Sequence, residues 1–321
     1  MRVFFAGSPA IAVPSLEILC RAEGIELAGV LTNPDTPKGR HGAAVPTETG
    51  EAAQKILQQF REQGREVFQI LKPEKLDASA REQVASINPH LLVSFAYGRF
   101  FGPKFLSLFS LGGINIHPSL LPKYRGPAPI QSAILNRDSV TGITIQKFAE
   151  QMDCGNILAQ EELQLTGKET TASLSKVVAE KAPAMLACVL ENIAKGQQGI
   201  PQDHSKASFC SLVTKDSGII DWKQGAHEIE AKIRAFDPWP LCRTIHNSRQ
   251  LFILKADIYS GKDEKKEPGK VLGIDKERGI LVQTGEGILC VTELQYEGKK
   301  ALFFKDFLNG ARDFLDSILG R

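Results

Sequence analysis

Five short apolar segments before residue 118 constrain the fold of this chain more than any other feature. They are Val3–Ala6, Leu27–Leu31, Val67–Ile70, Leu91–Ala96 and Gly113–His117. Segments with helical periodicity separate the first four, at Ala12–Ala22, Gly50–Gly64 and Ala78–Ile87. Strands that are apolar on both faces and alternate with helices are typical of a parallel sheet covered on both sides. The first half of the chain is therefore predicted to form a doubly wound, mostly parallel α/β sheet.

Three further segments extend this pattern. Thr144–Phe148 and Ile157–Leu165 are predicted to be strands at the edge of the sheet. Thr171–Lys195 repeats apolar residues every three or four positions, which predicts a long helix.

A polar segment then marks a change of composition. Gly196–Lys206 contains two glycines and a proline among polar residues, which is typical of a linker. We therefore expect a first domain over residues 1–190, a linker over 191–206 and a second domain over 207–321.

The second domain is predicted to consist mainly of antiparallel strands. A short helix at Glu228–Phe236 precedes five strand-like segments. These are Arg243–Asn247, Leu251–Tyr259, Lys270–Ile274, Ile280–Gln283 and Ile288–Leu294. Short strands joined by tight turns suit a small β-barrel of the oligonucleotide-binding (OB) type, although a sandwich has the same sequence pattern.

Composition narrows the functional classes. The formal net charge is only +2, so any nucleic-acid site must be a local cluster. The six cysteines are scattered without the spacing of zinc ligands, which predicts neither a metal site nor a disulfide framework. No apolar stretch is long enough to span a membrane. We expect a cytoplasmic protein, with no metal and no membrane partner, that is a monomer.

The first strand ends in a turn that argues against nucleotide binding. Gly7-Ser8-Pro9 has one glycine where the dinucleotide fingerprint needs three, and Pro9 lacks the amide that would face a phosphate. The turn is better interpreted as an ordinary strand-to-helix connection.

Polar side chains end the fifth strand. Asn115 and His117 are two residues apart, so on a strand both point to the same side, at the end where open parallel sheets bind ligands. Prolines at positions 118 and 122 then predict a rigid loop. After the strand Thr144–Phe148, Asp153 adds a carboxylate in a loop that contains Gly155. These residues could simply cap strand ends, but their combination suggests a reactive site.

Ordered motifs along nearly the whole chain resemble the folate-dependent formyltransferase family. The core of the resemblance is Asn115-x-His117, Ser119–Pro122 and Met152-Asp153-x-Gly155. Further matching segments are Phe5–Pro9, Asn33–Arg40, Ser119–Ile130, Ile219–Trp222, Ile233–Pro240 and Glu293–Lys300. The resemblance implies transfer of a formyl group from 10-formyltetrahydrofolate to an amine, catalysed by the first domain.

The residue types suit that reaction. An α-amino group with a pKa of about 8 is already partly neutral at pH 7, so a strong base is not the main need. Asn115 can donate a hydrogen bond to the developing oxyanion, and His117 can transfer the proton. We expect Asp153 to orient the imidazole and to raise its pKa. The family resemblance implies the same three catalytic residues.

The folate site follows from the resemblance alone. It implies contacts with the loop Ser119, Leu120, Leu121 and Pro122, and with Tyr97 at the end of the fourth strand.

The acceptor is the least constrained part of the prediction. The resemblance implies initiator methionyl-tRNA, contacted by Lys38 and Arg40 in the long loop Thr32–Thr49 and by Lys299 and Lys300 in the second domain. From residue 207 onward, however, 18 Lys and Arg residues face 17 Asp and Glu residues. We therefore expect few phosphate contacts.

Two alternatives remain open. One is a formyltransferase that acts on an amino sugar nucleotide and shares the Asn-x-His and Asp core. The other is a nucleic-acid-binding module carried on an inactive α/β domain. The presence of Asn115, His117 and Asp153 together argues against the inactive domain.

Overall fold

The computed structural model describes residues 1–37, 42–263, 265–311 and 313–320. It divides into two compact units. The first contains residues 1–129, 140–164 and 175–210, and the second contains residues 130–139, 165–174 and 211–321.

A seven-stranded sheet forms the centre of the first unit. Its strands are β1 (Arg2–Gly7), β2 (Glu26–Leu31), β5 (Gln69–Leu71), β6 (Leu91–Phe95), β7 (Gly113–His117), β8 (Val140–Lys147) and β9 (Ile157–Gln164). Two short strands, β3 (Thr36–Pro37) and β4 (Ala44–Val45), form a separate hairpin. The order in the sheet is β5-β2-β1-β6-β7-β8-β9. The first five strands run parallel, and β8 and β9 run antiparallel to their neighbours. This sheet confirms the predicted mostly parallel α/β fold.

Local sequence signals set the helices of this unit. They are α1 (Val13–Leu19), α2 (Glu48–Glu62), α3 (Ala78–Ile87), α4 (Pro103–Leu106) and the larger part of α6 (Thr171–Ala194). The Thr47 hydroxyl accepts a hydrogen bond from the Gly50 amide at 3.0 Å and so caps α2. Asp77 caps α3 in the same way through the Ala80 amide at 3.1 Å, and left-handed Asn88 ends that helix.

The second unit contains an antiparallel sheet. Its strands are β10 (Cys242–His246), β11 (Arg249–Tyr259), β12 (Val271–Asp275), β13 (Gly279–Gln283), β14 (Ile288–Tyr296) and β15 (Leu302–Phe303). They are ordered β10-β11-β14-β13-β12, and β15 pairs with β14. Helices α7 (Ala226–Ala235) and α8 (Phe304–Gly310) belong to this unit. The sheet confirms the predicted antiparallel β character of the C-terminal region.

Several short elements were not predicted from the sequence. They are the β3–β4 hairpin, α4, α5 (Pro129–Leu135), β15 and α8. The prolines after β7 predict irregular backbone, but Pro129 is the first residue of α5, where a missing amide has no cost. In the described part of the chain, no helix has both the length and the apolar character needed to cross a membrane.

Candidate active site

A cavity of about 290 Å³ lies at the carboxyl ends of β6 and β7. Asn115, His117 and Asp153 all line it, although they come from β7 and from the loop after β8. The structure therefore brings the three predicted catalytic residues together. This position agrees with the general rule that open α/β sheets bind ligands beyond the carboxyl ends of their strands.

Strand register determines which side chains meet in this cavity. Asn115 pairs with Ser94 on β6 and with Gln146 on β8. Directly paired residues of an antiparallel ladder share one face, so Gln146 lies beside Asn115. The side-chain amide of Asn115 makes no hydrogen bond within the described residues. A donor without a partner in a cavity is available to a ligand.

His117 is almost completely buried, with 3% of its surface exposed. Its Nε2 lies 2.8 Å from the Tyr124 carbonyl oxygen, and a carbonyl only accepts, so Nε2 carries the proton. The other nitrogen, Nδ1, lies 3.6 Å from Oδ2 of Asp153. Burial lowers the pKa of His117, and the opposing effects of the Asp153 charge and the Tyr124 carbonyl are smaller. The imidazole is therefore neutral at neutral pH, with a free lone pair on Nδ1.

The effect of Asp153 on the His117 pKa agrees in direction with the sequence-based expectation, but it is smaller than the effect of burial. Asp153 was expected to orient the imidazole and to raise its pKa. The charge of Asp153 does act in that direction, but desolvation outweighs it because the ring is so deeply buried. The hydrogen bond that fixes the ring goes to the Tyr124 carbonyl, since 3.6 Å is too long for one to Asp153.

Backbone geometry places the Asp153 carboxylate. Asp153 has a φ of 55°, in the left-handed region that Asp tolerates better than most residues. A Cβ at Gly155 would lie 1.7 Å from the Lys147 carbonyl oxygen, so only glycine fits where the loop returns past the end of β8. This explains the Asp-x-Gly spacing that the sequence shows.

Both oxygens of the Asp153 carboxylate accept hydrogen bonds. The Gly126 amide donates to Oδ2 at 2.8 Å, and Nε2 of Gln146 donates to Oδ1 at 2.8 Å. Gly126 has a φ of 115° and a Cβ there would meet the Cys210 carbonyl oxygen at 2.5 Å. Sequence reasoning missed Gln146, because only the antiparallel register of β8 brings it to the site.

The predicted folate-binding residues fall into two groups. Tyr97 lines the cavity and stacks on Phe101, with ring centroids 5.3 Å apart. Its buried hydroxyl has no hydrogen-bond partner in the described part of the chain. Burial raises the pKa of that hydroxyl, so it stays protonated and can donate a hydrogen bond.

Ser119, Leu120, Leu121 and Pro122 are not among the residues that line the cavity. The loop is instead fastened to β8, since the Thr144 hydroxyl donates to the Ser119 carbonyl at 2.7 Å and accepts from the Leu121 amide at 3.1 Å. Ser119 itself is fully buried, and its hydroxyl donates to the Lys123 carbonyl at 2.6 Å.

The structure describes two of the four predicted tRNA-contacting residues. Lys38 and Arg40 are outside the described residues. Lys299 and Lys300 are exposed in the turn between β14 and β15. Among the residues that the structure describes, no group of three or more His, Cys, Asp and Glu side chains is arranged to hold a metal ion.

The fold and the cavity define a class of enzyme. An unpartnered amide donor, a buried neutral imidazole and a hydrogen-bonded carboxylate suit an acyl-transfer reaction. Residues 1–190 match the formyl transferase family, and residues 212–312 match the formyl transferase C-terminal domain. The chain belongs to the formyl transferase family.

Three similar proteins illustrate this relationship. The chain is 48% identical over 321 residues to the methionyl-tRNA formyltransferase of Treponema denticola, covering 98% of both chains. It is 40% identical over 321 residues to the methionyl-tRNA formyltransferase of Borreliella burgdorferi, covering 99% of this chain and 98% of the relative. A crystal structure of the N-formyltransferase from Helicobacter canadensis, in complex with folinic acid and dTDP-3-aminofucose, superposes with a TM-score of 0.63. That structure is 19% identical and covers 90% of this chain and 98% of its own, so it supports the fold only.

Proposed function

We propose that this protein transfers the formyl group of 10-formyltetrahydrofolate to the α-amino group of initiator methionyl-tRNA. The observation that carries the proposal is the free Asn115 amide beside the buried pair of His117 and Asp153 in one cavity. The names of the relatives at 48% and 40% identity, which are covered almost completely, support the tRNA substrate.

The walls of the cavity fit a flat, partly polar co-substrate such as a folate. Tyr97 and Phe101 supply aromatic surface, and exposed Phe100 and Met152 extend the apolar lining. The unpartnered Tyr97 hydroxyl and Asn115 amide supply polar contacts. The contacts predicted for Ser119–Pro122 remain a prediction.

Asn115 would stabilise the negative charge that develops on the formyl oxygen when the amine attacks. Removing one such donor typically costs about 2.7–4 kcal/mol of transition-state stabilisation. 10-Formyltetrahydrofolate supplies the formyl group, so no nucleophilic side chain of the protein is needed. The bond between the amine nitrogen and the formyl carbon would form first, and the bond from that carbon to the folate nitrogen would break when the oxyanion collapses.

His117 would move the proton that this exchange requires. Its protonated Nε2 is engaged with the Tyr124 carbonyl, which leaves Nδ1 to accept a proton from the attacking amine. The proton can then pass to the departing nitrogen of the folate. The Asp153 carboxylate, 3.6 Å from Nδ1, would stabilise the imidazolium while it exists.

We propose that Lys38, Arg40, Lys299 and Lys300 contact the tRNA, and that the enzyme works as a monomer. The C-terminal residues are nearly neutral in charge, so we expect about three to five phosphate contacts and a modest dependence of affinity on salt. Specificity would then rest on shape and on contacts at the acceptor end, since the deep groove of A-form RNA is poorly read by side chains.

The test is to supply 10-formyltetrahydrofolate with either charged initiator tRNA or an amino sugar nucleotide. We expect formyl transfer to the tRNA only. Transfer to the sugar nucleotide alone would replace the proposal with the function suggested by the Helicobacter canadensis enzyme.

A variant in the loop Thr32–Thr49 tests the predicted contact with tRNA. Arg40→Ala should strongly reduce formylation of charged tRNA and leave folate binding unchanged, whereas Lys299→Ala should act more weakly and through affinity. Arg61→Ala is the matched control, because it removes the same charge from the exposed end of α2. Equal formylation by Arg40→Ala and Arg61→Ala would show that Arg40 does not select the tRNA.

A further inference from the structure

We propose that Gln202 is a positioning residue for the carboxylate of Asp153. Gln202 lies in the segment that its composition predicts to be a linker, far in sequence from the active-site motifs. The inference deepens the proposed function and rests on it, because it concerns the carboxylate that would stabilise the His117 imidazolium.

The segment that contains Gln202 is fastened to the first unit on both sides of that residue. Ile200 and Ile157 exchange two backbone hydrogen bonds of 2.8 Å. Farther along, the Arg125 amide donates to the Ser208 carbonyl at 2.9 Å, and the Cys210 amide donates to the Arg125 carbonyl at 2.8 Å. Gln202 is therefore held against the unit that contains the cavity.

A buried arginine fixes the orientation of the Gln202 side chain. Arg125 is 4% exposed and Gln202 is 5% exposed. Oε1 of Gln202 accepts hydrogen bonds from Nε and Nη2 of Arg125 at 3.1 and 2.6 Å. A guanidinium group can only donate, so the oxygen of the amide must face it. The amide nitrogen of Gln202 must then face the opposite way.

On that side the Gln202 nitrogen meets three acceptors. Nε2 of Gln202 lies 2.9 Å from the Asp153 carbonyl oxygen, 2.8 Å from the Gly155 carbonyl oxygen and 3.1 Å from Oε1 of Gln146. The first two contacts hold the backbone of the loop that carries the carboxylate. The third determines the orientation of the next amide.

The Gln146 amide passes this orientation to the carboxylate. Because its oxygen faces the Gln202 nitrogen, its own nitrogen points to Oδ1 of Asp153, at 2.8 Å. The result is a chain of hydrogen bonds that runs from Arg125 through Gln202 and Gln146 to Asp153. In this chain the orientation of each side-chain amide is determined by the residue before it. The last member of the chain is the group beside His117.

Gln202→Glu separates this role from a structural one. Glutamate has nearly the same shape and would keep, or strengthen, the contact with Arg125. It has no donor for Gln146 or for the two loop carbonyls, so the orientation of the chain is lost. We expect kcat for formyl transfer to fall by about 10–100-fold, by analogy with the loss of hydrogen-bond partners behind the ligands of metal sites. Wild-type kcat in a folded Gln202→Glu variant would overturn the proposal.

A double-mutant cycle keeps the test decisive if Gln202→Glu does not fold. If Gln202 acts through Asp153, Gln202→Met should lower kcat in the wild-type background but cause no further loss in Asp153→Asn. Independent, additive losses would assign Gln202 a structural role only and overturn the proposal.

Gln197→Met is the matched control, since Gln197 lies in the same segment but its side-chain amide donates to the Leu158 carbonyl, at 3.1 Å, and not to Asp153, Gly155 or Gln146. We expect it to keep the wild-type kcat. Absence of formyl transfer by the wild-type protein would instead reject the proposed function. Failure of the Gln202 proposal and failure of the proposed function can therefore be distinguished.

Discussion

Two buried histidines, His117 in the first unit and His246 in the second, share most of the properties often used to recognise a catalytic residue. They are 3% and 2% exposed. One ring nitrogen of each has a close oxygen partner, the Tyr124 carbonyl at 2.8 Å and the Tyr296 hydroxyl at 2.6 Å. Burial lowers the pKa of both, against a smaller opposing effect from a carboxylate, Asp153 or Asp313.

The surroundings of His117 and His246 differ. His117 lines a cavity that also contains the free amide of Asn115. His246 packs against the Phe314 ring at 4.7 Å and is among the core residues of the second unit. Burial and a lowered pKa therefore do not identify a reactive histidine. Access to a cavity with a second, unpartnered polar group is the more informative property.

The strongest test of this comparison is the loss of each imidazole. His117→Ala should lower kcat by about 10²–10⁴-fold, because the proton-transfer group is removed. Steady-state kinetics with charged tRNA would measure the effect, with circular dichroism to confirm folding. Turnover close to wild type in a folded variant would place His117 in the same structural class as His246.

Asn115→Ala should have the next largest effect. Loss of the oxyanion donor should lower kcat by about 10²–10³-fold, with little change in the affinity for folate. Measuring the equilibrium binding of a folate as well as kcat separates an effect on folate affinity from an effect on turnover. A variant that loses folate affinity but keeps kcat would show that the amide binds the co-substrate instead.

His246→Phe should affect stability and leave catalysis unchanged. The Tyr296 hydroxyl would lose its 2.6 Å partner in a partly buried environment, which should lower the free energy of unfolding by about 1 kcal/mol. Urea denaturation gives this value, and kcat per folded molecule should match the wild type. A large fall in kcat without a change in stability would contradict the comparison.

The smallest expected effect is on the pH dependence of stability. A histidine whose pKa is lowered in the folded protein contributes its full stability above the unfolded pKa of about 6.5. Below that pH the unfolded chain takes up the proton first, so the free energy of unfolding should fall as pH decreases. The slope is at most about 1.4 kcal/mol per pH unit for each histidine. Urea midpoints between pH 5 and 7.5 should show a shallower slope for His246→Phe, and an unchanged slope would exclude its contribution.

Sequence patterns predicted the parts of the structure that local chemistry determines. The strands of the parallel sheet are apolar on both faces, and α3 was predicted with its observed limits because Asp77 and Asn88 define its ends. Asn115 and His117 were found because alternation along a strand is a local property. Sequence patterns did not identify Gln146 and Gln202, because the positions of these residues depend on the register of β8 and on the path of a distant segment. The net lowering of the His117 pKa could not be predicted from the sequence either, because it depends on how deeply the ring is buried.

The path of residues 196–210 has a consequence for how this protein can be cut and recombined. The part of the chain that matches the first family ends at residue 190, whereas the backbone hydrogen bonds that complete the first unit continue to Cys210. A fragment that stops at residue 190 would keep Asn115, His117, Asp153 and Gln146 but lose Gln202, the residue that we propose positions the carboxylate through Gln146. A chimera that exchanges the C-terminal domain should therefore be joined after Cys210. The segment that matches the family and the segment that folds as the first unit therefore end at different residues, 190 and 210.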